Sequence, residues 1–210
     1  VSTVICLLIG YPMAYAIALS PKHWRMPLLM LIILPFWTSF LIRVYAWIGI
    51  LKDNGLLNQL LMGIGLIDEP LQMLHTPIAV YVGVVYSYLP FLVLPLYATL
   101  VRLDNTLLEA AADLGARPWR QFLTITLPQS IPGVMAGSML VFIPVMGEFV
   151  IPDLLGGPDT LMIGKLMWTE FFSNKDWPVA SSLAAILLLV LIIPFVVMRH
   201  YEQRANEEQG

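Results

Sequence analysis

Charge and cysteine are scarce in this sequence. Only 12% of its 210 residues are Asp, Glu, Lys or Arg, whereas 59% are hydrophobic and the mean hydropathy is +0.80. The single cysteine, Cys6, excludes a disulfide framework within the chain and a cysteine metal cluster. The histidines lie apart, in or near polar segments, and predict no metal site; they are His23, His75 and His200. This composition excludes an ordinary soluble domain.

Long apolar runs dominate the chain instead. Five of them have about the 20 residues that an α-helix needs to cross about 30 Å of hydrocarbon. The runs are Val1–Ser20, Met26–Ile50, Thr76–Val101, Gln121–Gly147 and Trp177–Met198. The sequence therefore predicts an all-α integral membrane protein, with a bundle of about five transmembrane helices in a single domain over residues 1–210. Every run contains proline, which predicts kinks in the helices.

The connections between the runs differ in their content of Lys and Arg. The first and third connections and the C-terminal tail are rich in basic residues for their length, whereas the second and fourth are poor. The positive-inside rule therefore places residues 102–128 and the tail, 199–210, in the cytoplasm. Because no basic segment precedes the first run, no signal peptide is predicted, and the natural N-terminus is expected to lie upstream of Val1.

The third connection has a pattern typical of two short helices joined by a tight turn. Thr106 and Glu109 form a capping-box pattern, so a helix is expected to start there. Gly115 stands where a left-handed residue would end that helix, and Pro118 stands where a second helix could begin. Pro128 is expected to close the second helix. This element offers shape rather than catalytic groups, and it is equally typical of a docking element and of an amphipathic loop at the lipid surface.

The stretch EAAADLGARPWRQFLTITLP resembles the EAA motif of inner-membrane permease subunits in bacterial ABC importers. That motif reads EAA, three residues, G, nine residues, and I-x-LP. All seven specified positions are present at the right spacing: Glu109, Ala110, Ala111, Gly115, Ile125, Leu127 and Pro128. The resemblance implies that these residues belong to coupling helices that seat in a groove of a separate ATPase subunit.

Three further stretches resemble the permeases of polyamine importers, most of all the putrescine type. They are LPFWTSFLIRVYAW at Leu34–Trp47, GEFVIPDLLGGPDTLMIG at Gly147–Gly164 and NKDWPVAS at Asn174–Ser181. The resemblance implies a transport subunit of the bacterial inner membrane rather than an enzyme. Members of this family usually have six spans, so one more is expected in the portion before Val1.

The resemblance also implies the partners of such a subunit. They are cytoplasmic ATPase subunits, a second permease subunit, a periplasmic solute-binding protein, a polyamine substrate and membrane lipid, with no nucleic acid. ATP and Mg are expected on the partner ATPase, and no cofactor or metal is expected on this chain.

Acidic and aromatic residues gather in the fourth connection, on the expected outer side. A polyamine dication would need carboxylates to replace its water and aromatic faces for cation–π contact. Glu148 and Asp153 are candidates for a substrate pathway because they follow a proline-interrupted span, and Trp168 offers an aromatic face. Arg43, inside the second run, is expected to reach the outer boundary or to pair with a carboxylate, and Glu148 is one candidate.

Three other functions are compatible with a membrane protein of this kind. The first is an importer permease for another small cation or organic solute. A membrane-embedded enzyme should show clustered intramembrane His, Asp or Glu residues, and an ion channel should show a recognisable pore loop. The sequence shows neither pattern, so the permease interpretation is favoured.

Overall fold

The structure is a computed structural model that describes residues 1–207, without the side chains of Asn105, 194–195 and 197–207. The helices are α1 (Ser2–Leu19), α2 (Lys22–Ile33), α3 (Phe40–Leu51), α4 (Leu56–Gly63), α5 (Pro77–Leu100), α6 (Asn105–Asp113), α7 (Pro118–Gln121), α8 (Leu127–Met146), α9 (Val150–Leu154), α10 (Ile163–Trp168) and α11 (Trp177–Glu207). A 3-10 segment, Leu34–Trp37, follows α2, and π-helical segments, Phe122–Thr126 and Thr169–Ser173, follow α7 and α10. The described residues contain no strand, which confirms the all-α fold class. Of the predicted tail, residues 208–210 lie outside the described residues.

Helix α5 forms the centre of the bundle, between α1 and α8. Its side chains Leu92, Val93 and Leu96 are fully buried. A Cβ added at Gly10 of α1 would lie 2.5 Å from a Leu92 methyl carbon, and one at Gly137 of α8 would lie 2.9 Å from the Leu92 carbonyl oxygen. Glycine therefore lets both neighbouring helices approach α5 closely, as small residues do in membrane bundles.

Length and hydropathy identify the described helices that can cross a membrane. Within the described residues, three helices are long and apolar enough to cross a membrane: Ser2–Leu19, Pro77–Leu100 and Pro118–Met146. A fourth span is obtained if Lys22–Trp37 and Phe40–Gly63 form one broken span. The fifth predicted run lies within α11, Trp177–Glu207, whose described stretch Trp177–Ile193 is apolar. Within the described residues, this criterion gives three spans, or up to four with the broken pair.

The second predicted run, Met26–Ile50, is bent rather than continuous. Lys22–Trp37 and Phe40–Gly63 meet at 92°, and Thr38 between them is extended, with φ of −98° and ψ of 153°. Pro35, just before the bend, cannot donate a helical hydrogen bond, and its ring crowds the preceding turn. The bend that proline predicts in this run is therefore confirmed. As a result, α3 turns away from α2 and packs against α5 and α9.

A buried asparagine closes the connection between α4 and α5. The Asn58 side-chain nitrogen donates to the carbonyls of Asp53 at 3.1 Å and Leu71 at 2.9 Å. Its side-chain oxygen accepts from the Leu71 amide at 3.0 Å. Because Asn58 is fully buried, these bonds hold the chain around Leu71 against α4.

Candidate coupling surface and substrate pathway

The first of the two short helices in the third connection, α6, is capped by Asp104. The Asp104 carboxylate accepts a hydrogen bond from the Thr106 backbone amide at 2.9 Å. This bond holds the pKa of Asp104 below its usual range, because it favours the charged carboxylate. The prediction that Thr106 caps the helix was wrong by two residues, since Asp104 offers a charged acceptor to the free amides of the first turn.

Gly115 ends α6 in the left-handed conformation predicted for it, with a φ of +79°. Its amide donates to the Ala112 carbonyl at 2.8 Å, and the Ala116 amide donates to the Ala111 carbonyl at 2.9 Å. These two bonds form a Schellman motif, which satisfies carbonyls at the end of a helix. A Cβ added at Gly115 would meet no described atom within 4 Å. Glycine is therefore required here by the backbone conformation and not by lack of space.

The second short helix, α7, begins at Pro118 as predicted but does not end at Pro128. The chain passes through the π segment into α8, so that Pro118–Met146 is one helical span. In the π turn the Leu127 amide donates to the Phe122 carbonyl. This wider turn accommodates Pro128, which has no N–H to donate. The prediction that Pro128 closes the helix was therefore wrong.

Aromatic contacts hold the π-helical segment Phe122–Thr126 against α1. The Phe122 ring packs edge-on against Tyr11 and Tyr15, with ring centroids 5.7 Å and 5.5 Å apart. The Tyr11 hydroxyl lies 2.9 Å from the Ser130 hydroxyl of α8. Because such aromatic pairs are favourable, a displacement of this π-helical segment would be transmitted to α1 and α8.

The residues of the EAA pattern lie on an angular element, residues 104–128, termed the coupling surface. Leu114 and Trp119 project from it with 89% and 57% of their surface exposed. The pattern residues are Glu109, Ala110 and Ala111 on α6, Gly115 in the turn, Ile125 in the π segment, and Leu127 and Pro128 at the start of α8. Large exposed apolar side chains beside a fixed turn suit contact with another protein.

At the other end of α8, the Glu148 side chain is buried, with 7% of the residue exposed. One carboxylate oxygen accepts hydrogen bonds from the amides of Val150 at 2.9 Å and Ile151 at 3.2 Å. The other accepts from the Tyr88 hydroxyl. These donors compensate the buried carboxylate for its lost water. Since α8 has 20 residues, about 30 Å separates Glu148 from the coupling surface.

Glu148 lines a cavity of about 330 Å³, termed the Glu148 cavity. Its lining residues are Phe40, Tyr88, Pro144, Gly147, Glu148, Phe149 and Val150. A carboxylate oxygen can accept two hydrogen bonds, so Oε2 of Glu148, with one described donor, can accept another. Sequence reasoning missed Phe40 and Tyr88. Tyr88 has a hydroxyl group inside a predicted span, two residues before Pro90. That position was the signal by which the sequence could have identified it.

Trp168 lies beside this cavity, across the Phe149 ring. The rings of Phe149 and Trp168 stack, with centroids 4.1 Å apart and planes 7° apart. The Phe172 ring is tilted by 36° relative to Trp168, with ring centroids also 4.1 Å apart. The three rings line a second, largely apolar cavity of about 410 Å³, termed the aromatic cavity. Phe149 and Gly147 line both cavities, so the carboxylate and the aromatic faces are neighbours.

Asp153 is not brought to these cavities. Its side chain is 63% exposed, and its carboxylate pairs with Lys165 at 3.5 Å. Lys165 also donates to the Pro152 carbonyl at 3.2 Å. The structure therefore separates two carboxylates that sequence reasoning treated together.

Arg43 makes no ion pair in the described part of the chain, although pairing with a carboxylate was one of its two predicted roles. Its guanidinium carbon lies 4.7 Å from the centroid of the Phe36 ring and 5.7 Å from that of Phe40. The Nε and Nη1 atoms are buried, and neither has a hydrogen-bond partner among the described residues. Aromatic faces are therefore the contacts that the structure gives to this cation.

Comparison with known proteins identifies similar membrane proteins. A family described as binding-protein-dependent transport system inner membrane component matches residues 7–207. The spermidine/putrescine transport system permease protein PotB of Haemophilus influenzae is 43% identical over 200 residues, which cover 95% of this chain and 70% of that protein. PotB of Escherichia coli is 42% identical over 208 residues, covering 99% of this chain and 76% of that protein.

Solved structures support the same fold. The crystal structure of a bacterial ABC transporter that imports alginate contains a chain with a TM-score of 0.69 and 20% identity, covering 97% of this chain and 76% of that one. In the complex of the alginate transporter with its alginate pentasaccharide-bound periplasmic protein, the TM-score is 0.72 at 20% identity, covering 97% of this chain and 75% of that one. At this identity the likeness concerns the fold alone.

Proposed function

The chain belongs to the family of inner membrane components of binding-protein-dependent transport systems, and on that premise we propose that it carries a polyamine, in particular putrescine. As a member of the family it is a multi-pass inner membrane permease subunit of an ABC importer, not an enzyme. The observation that carries the polyamine assignment is its 43% identity to a spermidine/putrescine permease over 95% of this chain.

In the proposed mechanism, separate cytoplasmic ATPase subunits dock on the coupling surface and bind ATP and Mg. Their closure moves the coupling surface, and the contacts of Phe122 with α1 and the continuous helix into α8 transmit that movement. The pathway then opens alternately to each side of the membrane. A periplasmic solute-binding protein delivers the substrate, and a second permease subunit completes the pathway.

The two cavities at the outer end of α8 have the chemistry that an alkyl diamine requires. A substrate ammonium can donate to the open acceptor position of Glu148 Oε2, which replaces part of its water shell. The hydrocarbon chain and the second ammonium can contact the faces of Phe149 and Trp168 in the aromatic cavity. A carboxylate beside stacked aromatic rings therefore supports an organic cation as the substrate.

Uptake by the complete transporter in a bacterial host without its own polyamine importers tests this function. Labelled putrescine and spermidine are supplied separately, and uptake is normalised to the amount of this chain in the membrane. We expect uptake of putrescine to exceed that of spermidine. Uptake of neither would contradict the polyamine assignment and would favour another small cation or organic solute.

Substitution of Glu148 tests the substrate pathway in the same assay. Glu148→Gln keeps size and hydrogen-bonding capacity but removes the charge, so uptake per inserted transporter should fall. The matched control is Asp176→Asn, because Asp176 is exposed and caps α11 by accepting from the Val179 amide, which Asn also does. Asp153→Asn should have a small effect, since Asp153 is outside both cavities. Undiminished uptake by Glu148→Gln, or a larger loss in Asp176→Asn, would refute the assignment of Glu148.

A further inference from the structure

We infer that Arg43 is an internal cation that competes with the substrate's ammonium group for Glu148 and thereby sets the apparent affinity for the substrate. This inference depends on the proposed transport of polyamines. It assigns to Arg43 a role in substrate affinity, exerted through Glu148, and not direct contact with the substrate.

The position of Arg43 in the structure leaves its guanidinium incompletely compensated. Two of its nitrogens, Nε and Nη1, are buried without hydrogen-bond partners among the described residues. Cation–π contact with Phe36 and Phe40 replaces only part of the lost hydration. Because a buried unpaired charge is costly, a second position with an anionic acceptor is expected within reach of the side chain.

Glu148 is the acceptor that the geometry favours. Phe40 contacts the Arg43 guanidinium and also lines the Glu148 cavity. The Tyr88 hydroxyl, which donates to Glu148, lines the same cavity as Phe40. Glu148 Oε2 has one described donor and can accept another. Asp153, the other candidate carboxylate, is already paired with Lys165.

Arg43 therefore has two positions, of which the structure shows one. In the retracted position the guanidinium rests on the Phe36 and Phe40 rings and leaves Glu148 open to the cavity. In the other position it donates to Glu148 and excludes an ammonium group from that carboxylate. Substrate binding requires Arg43 to be retracted, so the apparent affinity is proportional to the fraction of molecules in which Arg43 is retracted.

This competition lowers the apparent affinity of every amine by the same factor. Every amine must displace Arg43 from Glu148. Only a diamine has a second ammonium for the aromatic faces of Phe149 and Trp168, and that contact raises its affinity whether or not Arg43 is present. A monoamine of the same chain length lacks this contact, so it binds more weakly than the diamine.

The experiment measures KM and maximal uptake rate for putrescine with the complete transporter, normalised to the chain in the membrane. Arg43→Gln should lower KM by about threefold or more, because the competitor is removed. Phe36→Leu should raise KM, because the retracted position loses its aromatic contact while Arg43 is retained. In the double variant, which combines Arg43→Gln with Phe36→Leu, the rise in KM caused by Phe36→Leu should disappear. Arg43→Lys should behave like the parent, and Lys52→Gln, at an exposed cation after α3, is the matched control.

Inhibition by n-butylamine supplies a second measurement on the same proteins. It should inhibit putrescine uptake more strongly in Arg43→Gln than in the parent, because a single ammonium then meets no competitor at Glu148. If Arg43 had only a structural role, uptake would fall in parallel in Arg43→Gln and Phe36→Leu. If Arg43 were a fixed charge that repels the substrate, KM would be unchanged in Phe36→Leu. Either result would overturn the inference.

The design separates failure of this inference from failure of the proposed function. If the parent takes up no polyamine, the proposed function fails and the inference falls with it. If the parent transports putrescine but KM does not move in opposite directions in Arg43→Gln and Phe36→Leu, the inference alone is refuted. Should Arg43→Gln fail to reach the membrane, Phe36→Leu compared with Lys52→Gln still decides, because an unchanged KM in Phe36→Leu contradicts the competition.

Discussion

Substituting Gly115 with valine should uncouple ATP hydrolysis from transport while leaving the chain in the membrane. The residue has a φ of +79°, and an added Cβ would meet no described atom within 4 Å. The perturbation is therefore confined to the backbone. An L-residue other than glycine in this conformation costs about 1–2 kcal/mol, and a β-branched residue costs more. A change of one or two kcal/mol alters a population ratio by about 5- to 30-fold.

That magnitude should change the coupling surface without unfolding the bundle. If the turn leaves the left-handed conformation, the hydrogen bonds from Gly115 to Ala112 and from Ala116 to Ala111 are lost. The angle between α6 and α7 then changes, and Leu114 and Trp119 no longer project together. The buried side chains of α5 lie in a different part of the molecule, so membrane abundance should be close to that of the parent.

The assay compares substrate-stimulated ATP hydrolysis, uptake and co-purification of the ATPase subunits in a series of variants. Asn tolerates the left-handed conformation better than Ala, and Ala better than Val. Activity should therefore decrease in the order Gly, Asn, Ala, Val. The matched control is Gly49→Val, because Gly49 is also free of atoms within 4 Å but has no positive φ.

Two results would refute this reasoning. One is normal stimulated ATP hydrolysis and uptake by Gly115→Val at equal membrane abundance. The other is equal loss in Gly115→Asn and Gly115→Val, because the backbone conformation would then not determine the effect.

Two further predictions concern packing and the loop before α5. Gly137→Ala should destabilise the purified chain by about 1–3 kcal/mol and lower its Tm, because the new methyl group meets the Leu92 backbone; an unchanged Tm, or an equal fall in Gly49→Ala, would contradict this. Asn58→Leu should leave the buried partners at Leu71 unsatisfied, at a cost of about 1–3 kcal/mol. Hydrogen exchange should then be faster around Leu71 and unchanged on the coupling surface, and equal acceleration in both regions would argue against a local role.

Features that depend on a few neighbouring residues could be predicted from the sequence. Gly115 and Pro118 were assigned correctly because a left-handed φ and a fixed φ are local properties of the backbone. The cap at Asp104 was missed because two acceptors, Asp104 and Thr106, compete within one turn. The relative strength of the two acceptors, and not the pattern, decided where the helix begins.

Proline shows the limit of local reasoning. Pro35 precedes a 92° bend between helices, whereas Pro128 lies inside a helix that continues because a π turn precedes it. The residue type is the same in both places. The outcome depends on which neighbouring elements hold the chain, with α3 packed against α5 and α9 and Phe122 packed against α1.

Composition and spacing alone determined that this protein is an all-helical membrane protein with a tight turn between two short helices, because hydropathy and backbone preferences act over short stretches of chain. Only the tertiary structure decided that Glu148 is buried and bound by Tyr88, which lies 60 residues earlier, while Asp153, five residues later, is exposed and paired with Lys165. It also decided that Arg43 rests on aromatic rings beside the Glu148 cavity. These environments arise from the packing of distant helices, and no local pattern encodes which distant side chains will meet.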